Sequence, residues 1–276
     1  MEGNIIFNFS NTIVENIFLF FGIFIAFVSF LSYVVACNYN LKRMLFSSVL
    51  ISFFGIIFGS IGHYLFYYDD FCKLEPHMPY YFKICNIAFF KDNTIGFLGD
   101  AWMSDHGLIL GFVFGCLVCS FMYKFSFYKL LDIIILPICV LLSTFRILDL
   151  FKVKNFGLPT EQSFGIIFPK IDYLPRHACM IYEFILILIV FFILIYSFKK
   201  INFNLGGDTE DGFLFFIGIF LIYVSKIVIS TLKVQDNLMT NPILDFLKLG
   251  VDQALTICLL VLSLIFVIFK FPKLED

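Results

Sequence analysis

The chain has 276 residues, of which 61% are hydrophobic and only 14% are charged, and its mean hydropathy is +0.96. A soluble globular domain is roughly half apolar and about a quarter charged, so this composition excludes an ordinary water-soluble protein. The net charge of −2 does not indicate a nucleic-acid partner, and none is expected.

Seven apolar runs are long enough to cross a bilayer as helices, since about 20 helical residues span the hydrocarbon core. They lie at about 14–37, 46–67, 106–123, 128–148, 178–198, 213–233 and 246–270. No Lys/Arg cluster precedes the first run and no small-residue cleavage site follows it, so we expect it to be retained as a helix. The sequence predicts an all-α integral membrane protein with about seven transmembrane helices, forming a single polytopic domain over residues 1–276.

The distribution of Lys and Arg predicts the orientation of these helices. Eight cationic residues fall on each side of the membrane, but those in the linkers after runs one, three and five and at the C-terminus lie closer to helix ends. The other side holds the two long loops, at about 68–105 and 149–177, and the first of these is rich in Asp. We therefore expect the N-terminus outside, the C-terminus in the cytoplasm and both long loops outside.

Two pairs among the eight cysteines could carry chemistry. Cys116 and Cys119 have zinc-like spacing, but they lie inside an apolar run without a second pair, so neither a metal nor another cofactor is expected. Cys72 and Cys85 share one long outer loop and could form a disulfide there.

Most polar residues within the runs fall toward the outer ends of the predicted helices. They include His106, Arg146, Glu183, Lys226 and Gln253. Ionisable groups inside a membrane are costly and usually face one another or a cavity. The pattern indicates a polar cavity in the outer leaflet, where cations could pair with the phosphate of a phospholipid.

Several segments in order along the chain carry family-like motifs. The stretch from Asp105 to Gly111 (DHGLILG) resembles the H-G-G-L-I-G segment of prolipoprotein diacylglyceryl transferases. The stretch from Arg146 to Thr160 (RILDLFKVKNFGLPT) resembles that family's signature R-x-G-N-F-x-N-x-E-x-x-G-x-P-T, and 163–169 (SFGIIFP) resembles its W-G-x-x-F-P element.

Three further matches extend the resemblance toward the C-terminus. Pro175-Arg176-His177, followed by Tyr182-Glu183, is similar to R-H-P-S-Q-L-Y-E. The stretch 223–236 lies where the family has Y-x-x-x-R-x-x-x-E-x-x-R-x-x-D, and Gln253 fits a family Gln near the start of the last helix.

The resemblance implies a bacterial multi-pass inner-membrane enzyme that moves diacylglyceryl from phosphatidylglycerol, or another anionic phospholipid, to the lipobox cysteine of a lipoprotein precursor. It implies His106 as the base and Arg146 as the phosphate-binding catalytic residue. The implied substrate-binding residues are Lys226, Asp149, Gly157, Tyr182, Glu183 and Gln253.

Plainer interpretations stand beside these roles. His106 could be an interfacial histidine, Arg146 could extend to the outer surface from its helix end, and Tyr182 and Glu183 could simply anchor a helix. Several positions also depart from the family motifs. They are Ser60 for Arg, Leu148 for Gly, Asp149 and Lys152 for Asn, Lys154 for Glu, Lys226 for Arg and Ser230 for Glu.

These departures support an alternative, a phospholipid-binding relative that has lost transferase activity. A transporter is less consistent with the sequence, because the polar residues are confined to one leaflet and no inverted repeat is visible.

Overall fold

The computed structural model describes residues 5–6, 12–66, 104–204, 212–233 and 251–270. This part of the chain contains seven helices, numbered here in chain order. They are α1 (Thr12–Ala36), α2 (Leu41–Phe66), α3 (Asp105–Tyr123), α4 (Phe127–Lys152), α5 (Cys179–Asn204), α6 (Phe213–Ser230) and α7 (Val251–Lys270).

Helices α1 to α6 are each long and apolar enough to cross a membrane, whereas the apolar stretch described in α7, Gln253–Ile268, is shorter. Six such helices make the chain a multi-pass membrane protein. The predicted Cys72–Cys85 disulfide and most of the first long loop lie outside the described residues.

The structure differs from the predicted elements at several helix ends and in a small sheet. Helix α2 begins at Leu41 rather than near 46, and α5 continues to Asn204 rather than ending near 198. Helix α4 continues to Lys152 and so contains Asp149, which the sequence places at the start of a loop. Three two-residue strands, β1 (Ile5–Ile6), β2 (Ile166–Ile167) and β3 (Pro175–Arg176), add a small sheet to the helical architecture. Strand β2 pairs in parallel with β1 and antiparallel with β3. Such pairing joins residues far apart in the sequence, and the hydrophobic pattern does not predict it.

The described residues group into two compact units, Ser32–Leu131 and the combination of Met1–Leu31 with Asp132–Asp276. We call them the small unit and the large unit. That the chain forms one polytopic domain stays a prediction.

Glycines bring α2 and α3 of the small unit into close antiparallel contact. A Cβ atom on Gly111 would lie 2.4 Å from the carbonyl oxygen of Phe54 and 2.8 Å from the Cα of Gly55. A Cβ on Gly107 would lie 2.3 Å from the carbonyl oxygen of Phe58. Small residues at four-residue spacing let membrane helices approach through their backbones, so these glycines determine the α2–α3 distance.

We expect Gly111→Ala to force α2 and α3 apart, because the atoms that its methyl group would meet belong to the backbone. Overpacking of this kind should lower the free energy of unfolding by about 1–3 kcal/mol. Thermal unfolding of the purified protein in detergent measures the change. Leu110→Ala, which shortens an exposed neighbouring side chain, is the control. Equal destabilisation by the two substitutions would contradict the close-packing explanation.

In the large unit, α4 and α6 run in the same direction, and a buried carboxylate in the second turn of α4 contacts the start of α6. Asp132 accepts hydrogen bonds from the backbone N–H groups of Gly212, at 2.7 Å, and Phe215, at 2.9 Å. The first N–H groups of a helix have no partner within the helix, and a carboxylate both accepts from them and favours the positive end of the helix dipole. Asp132 thus fixes the start of α6 against α4.

Candidate functional site

The candidate site lies in the large unit, where α4 and α6 end and α5 begins. Residues 153–178, which we call the strap, connect α4 to α5 at this end. The strap also contacts the end of α6, because the backbone N–H of Leu158 donates to the carbonyl oxygen of Leu232 at 2.9 Å and Gly157 forms a β-bridge with Lys233. One loop therefore positions the ends of three helices.

The beginning of the strap has an unusual backbone. Val153 and Asn155 have φ values of 53° and 56°, in the left-handed region. This conformation is an outlier for a β-branched residue and persists only where the surroundings enforce it. Val153 is buried in an apolar cluster with Phe168 and Met180, and the side chain of Asn155 donates to Asp149 Oδ2 at 2.8 Å. Apolar packing and a hydrogen bond thus hold the turn that leads out of α4.

Gly157 occupies a position where a side chain does not fit. A Cβ atom there would lie 2.6 Å from the Cβ of His177 and 2.7 Å from the Sγ of Cys179. The backbone N–H of Gly157 donates to the carbonyl oxygen of His177 at 2.8 Å. The two ends of the strap therefore meet at this glycine.

An ion cluster is buried at this end of the helices. Arg146 Nη1 lies 2.7 Å from Asp149 Oδ2, one helical turn further along α4. Arg146 Nε lies 3.2 Å from Glu183 Oε2 on α5, and Lys233 Nζ lies 2.8 Å from the other carboxylate oxygen, Oε1. Glu183 therefore lies between two cations, and Arg146 lies between two carboxylates.

Burial makes this cluster energetically sensitive. The exposed fractions of the side chains are 6% for Arg146, 8% for Asp149, 3% for Glu183 and 18% for Lys233. Charges removed from water are tolerated when they are paired, and loss of one partner leaves the other without compensation. Each member of the cluster therefore depends on the others to compensate its charge.

Three other predicted site residues lie at the same end of the large unit. Lys226 is buried, and its positive charge acts on Glu183. The Gln253 side chain donates to the backbone oxygen of Ser230 at 3.5 Å. The Tyr182 ring lies 6.2 Å from the His177 ring, between centroids, and its buried hydroxyl has no hydrogen-bond partner among the described residues.

His106 belongs to the small unit. It lies in the first turn of α3, is 2% exposed, and follows Ser104, whose hydroxyl accepts from the N–H of Gly107. The expected convergence of His106 with Arg146 and Lys226 stays a prediction. No three His, Cys, Asp or Glu side chains in the described ranges gather as metal ligands would.

Comparison with known proteins gives these features a family context. Residues 12–269 match the family described as prolipoprotein diacylglyceryl transferase. The chain belongs to this family. The match covers both units and confirms the resemblance carried by the motifs.

Three relatives bear the name phosphatidylglycerol–prolipoprotein diacylglyceryl transferase. The one from Rickettsia felis is 34% identical over 178 residues, which is 63% of this chain and 65% of the relative. The one from Desulfotalea psychrophila is 28% identical over 159 residues, 56% of this chain and 58% of the relative. The one from Bacteroides fragilis is 23% identical over 223 residues, 80% of this chain and 76% of the relative. The matched region thus spans less than two thirds of the first two relatives.

Lys233, a member of the cluster, and Asn155, which donates to Asp149, are absent from the predicted site. The family motif R-x-x-x-E-x-x-R-x-x-D, when its first position is placed on Lys226 and its last on Asp236, puts its second arginine at Lys233. This alignment could have predicted Lys233 as a site residue from the sequence. Asn155 had no such signal, since its contact with Asp149 depends on the left-handed turn at the start of the strap.

Outside the membrane-spanning helices, an ion pair holds the far end of the strap. Arg176 donates from Nε and Nη2 to the carboxylate of Asp172 and from Nη1 to the carbonyl oxygen of Gly157. Hydrogen bonding from the Arg176 side chain, aided by the N–H of Leu174, holds the pKa of Asp172 below its ordinary value. A carboxyl group with a lowered folded-state pKa stabilises the fold above its unfolded pKa, about 3.9 for Asp, and this contribution is lost as pH falls through the folded value.

We therefore expect the strap to begin to loosen as the pH falls below about 3.9, the unfolded pKa, and to loosen further as Asp172 is protonated at its lowered folded-state pKa. Hydrogen–deuterium exchange of the amides in residues 165–176, corrected for intrinsic rates, should show protection at pH 6 that declines at pH 3. Asp172→Asn should be less protected at pH 6 and should lose little more at pH 3. The same acid-induced loss in this variant would assign the effect to other groups.

Proposed function

We propose that this protein transfers a diacylglyceryl group from phosphatidylglycerol to the cysteine thiol of a prolipoprotein, the activity named for its relatives. The observation that carries the proposal is the buried cluster of Arg146, Asp149, Glu183 and Lys233 in a chain that matches the family over residues 12–269. Buried cations at a helix end suit an anionic phosphodiester, because charge-assisted hydrogen bonds to phosphate are short and strong.

The reaction requires a nucleophile, a base and an anion-stabilising group. The cysteine sulfur attacks the glyceryl carbon that carries the phosphate ester, forming a C–S bond while the C–O bond breaks and glycerol phosphate leaves. The thiolate is the nucleophile, so a base must take the thiol proton, and we assign this role to His106. Arg146 and Lys226 stabilise the charge on the departing phosphate.

The remaining site residues are proposed to position these groups. Asp149 and Glu183 hold the Arg146 guanidinium at two edges. Gly157 permits the closure of the strap. Tyr182 and Gln253 supply polar groups beside the cluster for the lipid substrate.

The proposal includes an orientation and a location. We propose that α7 is the seventh span, with the N-terminus outside and the C-terminus in the cytoplasm. The candidate site then opens to the outer leaflet of the bacterial inner membrane. There it meets phosphatidylglycerol, or another anionic phospholipid, and the lipobox cysteine of its acceptor.

The test is transfer by the purified protein in vesicles containing phosphatidylglycerol with a labelled acyl chain. A synthetic lipobox peptide should gain the mass of one diacylglyceryl group, and the matched peptide with serine in place of cysteine should gain none. Absence of transfer to the cysteine peptide, with the protein folded and the lipid present, would contradict the proposal.

A second candidate, a phospholipid-binding relative without turnover, is favoured by one feature of the cluster. Arg146 contacts two carboxylates, so part of its donor capacity is already used and less remains to stabilise the charge on a departing phosphate. Retention of phosphatidylglycerol without transfer in the same vesicles would select this candidate over the enzyme.

A further inference from the structure

Lys233 is the charged member of the ion cluster that has no role in the function proposed above. It lies three residues beyond the end of α6, and its ammonium group contacts Glu183 Oε1 at 2.8 Å. Its side chain is the most exposed of the four charged groups at the cluster, at 18%, whereas that of Glu183 is 3% exposed. Lys233 therefore provides a countercharge for Glu183 at the edge of the cluster.

The strap sets the position of Lys233. Gly157 forms an antiparallel bridge with Lys233, and Leu232 accepts a backbone hydrogen bond from Leu158. Gly157 also lies too close to His177 and Cys179 to carry a side chain, so the start of α5 fixes the position of this part of the strap. Closure of the strap thus places the ammonium group against Glu183.

Glu183 connects Lys233 to Arg146. One carboxylate oxygen faces Lys233 and the other lies 3.2 Å from Arg146 Nε. The ammonium group of Lys233 offsets part of the negative field that Glu183 exerts on Arg146. If Lys233 were neutral, Glu183 would hold Arg146 more strongly and would compete more effectively with an entering phosphate.

The geometry points to Lys233 as a positioning residue that keeps Arg146 available to an anionic lipid by holding the second oxygen of Glu183. This role rests on the proposed function but does not require Lys233 to touch the lipid. Lys233 and Arg146 are joined through one shared carboxylate, so their effects on lipid binding must be coupled through Glu183.

A double-mutant cycle between Lys233 and Glu183 tests this inference. Dioctanoyl phosphatidylglycerol is titrated into the purified protein in detergent, and KM is measured separately for that lipid and for the lipobox peptide. Lys233→Met should raise the Kd and KM for the lipid about tenfold and leave the peptide KM unchanged. Lys233→Arg, which retains the charge, should recover most of the affinity. Lys170→Met, which removes an exposed lysine from the same strap, is the control and should behave like the unmutated protein.

The decisive comparison is made in the Glu183→Gln background. The effect of Lys233→Met should shrink there to less than about threefold, because the group through which it acts is neutral. An undiminished tenfold loss would show that Lys233 acts on the lipid directly and would overturn the inference. If thermal unfolding shows that Glu183→Gln does not fold, Glu183→Asp provides the second background, because its shorter side chain cannot reach both cations and the coupling should again decrease.

The two proposals fail in different ways. Lipid binding with the expected coupling but no transfer would overturn the transferase activity and leave the role of Lys233 intact. Transfer without coupling would support the transferase activity and overturn the role of Lys233. If the unmutated protein shows neither lipid binding nor transfer, both proposals are overturned.

Discussion

Arg146→Met is expected to lower both the stability of the protein and its affinity for anionic lipid. The substitution leaves Asp149 and Glu183 buried with less countercharge, and removal of one partner from a buried ion pair typically costs about 3–5 kcal/mol. It also removes a charge-assisted contact to phosphate of about 1.5–3 kcal/mol, which corresponds to roughly tenfold to hundredfold in Kd. Thermal unfolding in detergent and titration with dioctanoyl phosphatidylglycerol measure the two effects.

A compensating variant separates these contributions. Combining Arg146→Met with Glu183→Gln removes one charge of each sign, so part of the lost stability should return while lipid affinity stays low. Arg43→Ala, which removes an exposed guanidinium in the small unit, is the control and should change neither quantity appreciably. Normal lipid affinity in the destabilised Arg146→Met protein would remove Arg146 from the lipid site.

His106→Gln is expected to reduce transfer strongly while leaving lipid binding nearly intact. General-base catalysis contributes about 10²–10⁴-fold, and a base that acts on the acceptor thiol contributes little to binding of the lipid. Glutamine preserves a polar side chain at this buried position but does not act as a base near neutral pH. Transfer from labelled phosphatidylglycerol to the lipobox peptide and lipid titration are measured on the same preparation.

The pH dependence distinguishes loss of a base from a structural defect. Without His106, transfer depends on the small fraction of thiolate that the acceptor cysteine forms unaided. Raising the pH from 7 toward the thiol pKa of about 8.5 should therefore restore part of the activity in His106→Gln. A uniform loss at every pH, or unchanged transfer at pH 7, would contradict the assignment of His106 as the base.

Local properties of the sequence were sufficient to predict the helices and part of the candidate site. A run of about 20 apolar residues makes a membrane helix wherever it occurs, because every backbone polar group must be satisfied within the segment. The runs beginning near 14, 106, 178 and 213 accordingly match the starts of α1, α3, α5 and α6 closely. The motif residues Arg146, Glu183 and Lys226 could be recognised from their order along the chain, and the structure brings them to one end of the large unit.

Two usable sequence signals were missed. The four-residue spacing of Gly107, Gly111 and Gly115 on α3, opposite Gly55 and Gly59 on α2, is typical of closely packed membrane helices. It could have predicted that these two helices are neighbours. The second arginine of the family motif could likewise have pointed to Lys233.

The sequence by itself therefore determined the membrane class, the family and most helix positions, since these depend on composition and on residues close together in the chain. Only the tertiary structure decided which charges pair and how the long loop folds. Glu183 contacts Lys233, Asp132 caps a helix 80 residues away, and Ile5 pairs with Ile166. The physical reason is that an ion pair, a helix cap or a strand pairing depends on distances between segments, and hydrophobic runs and motif spacings do not contain those distances.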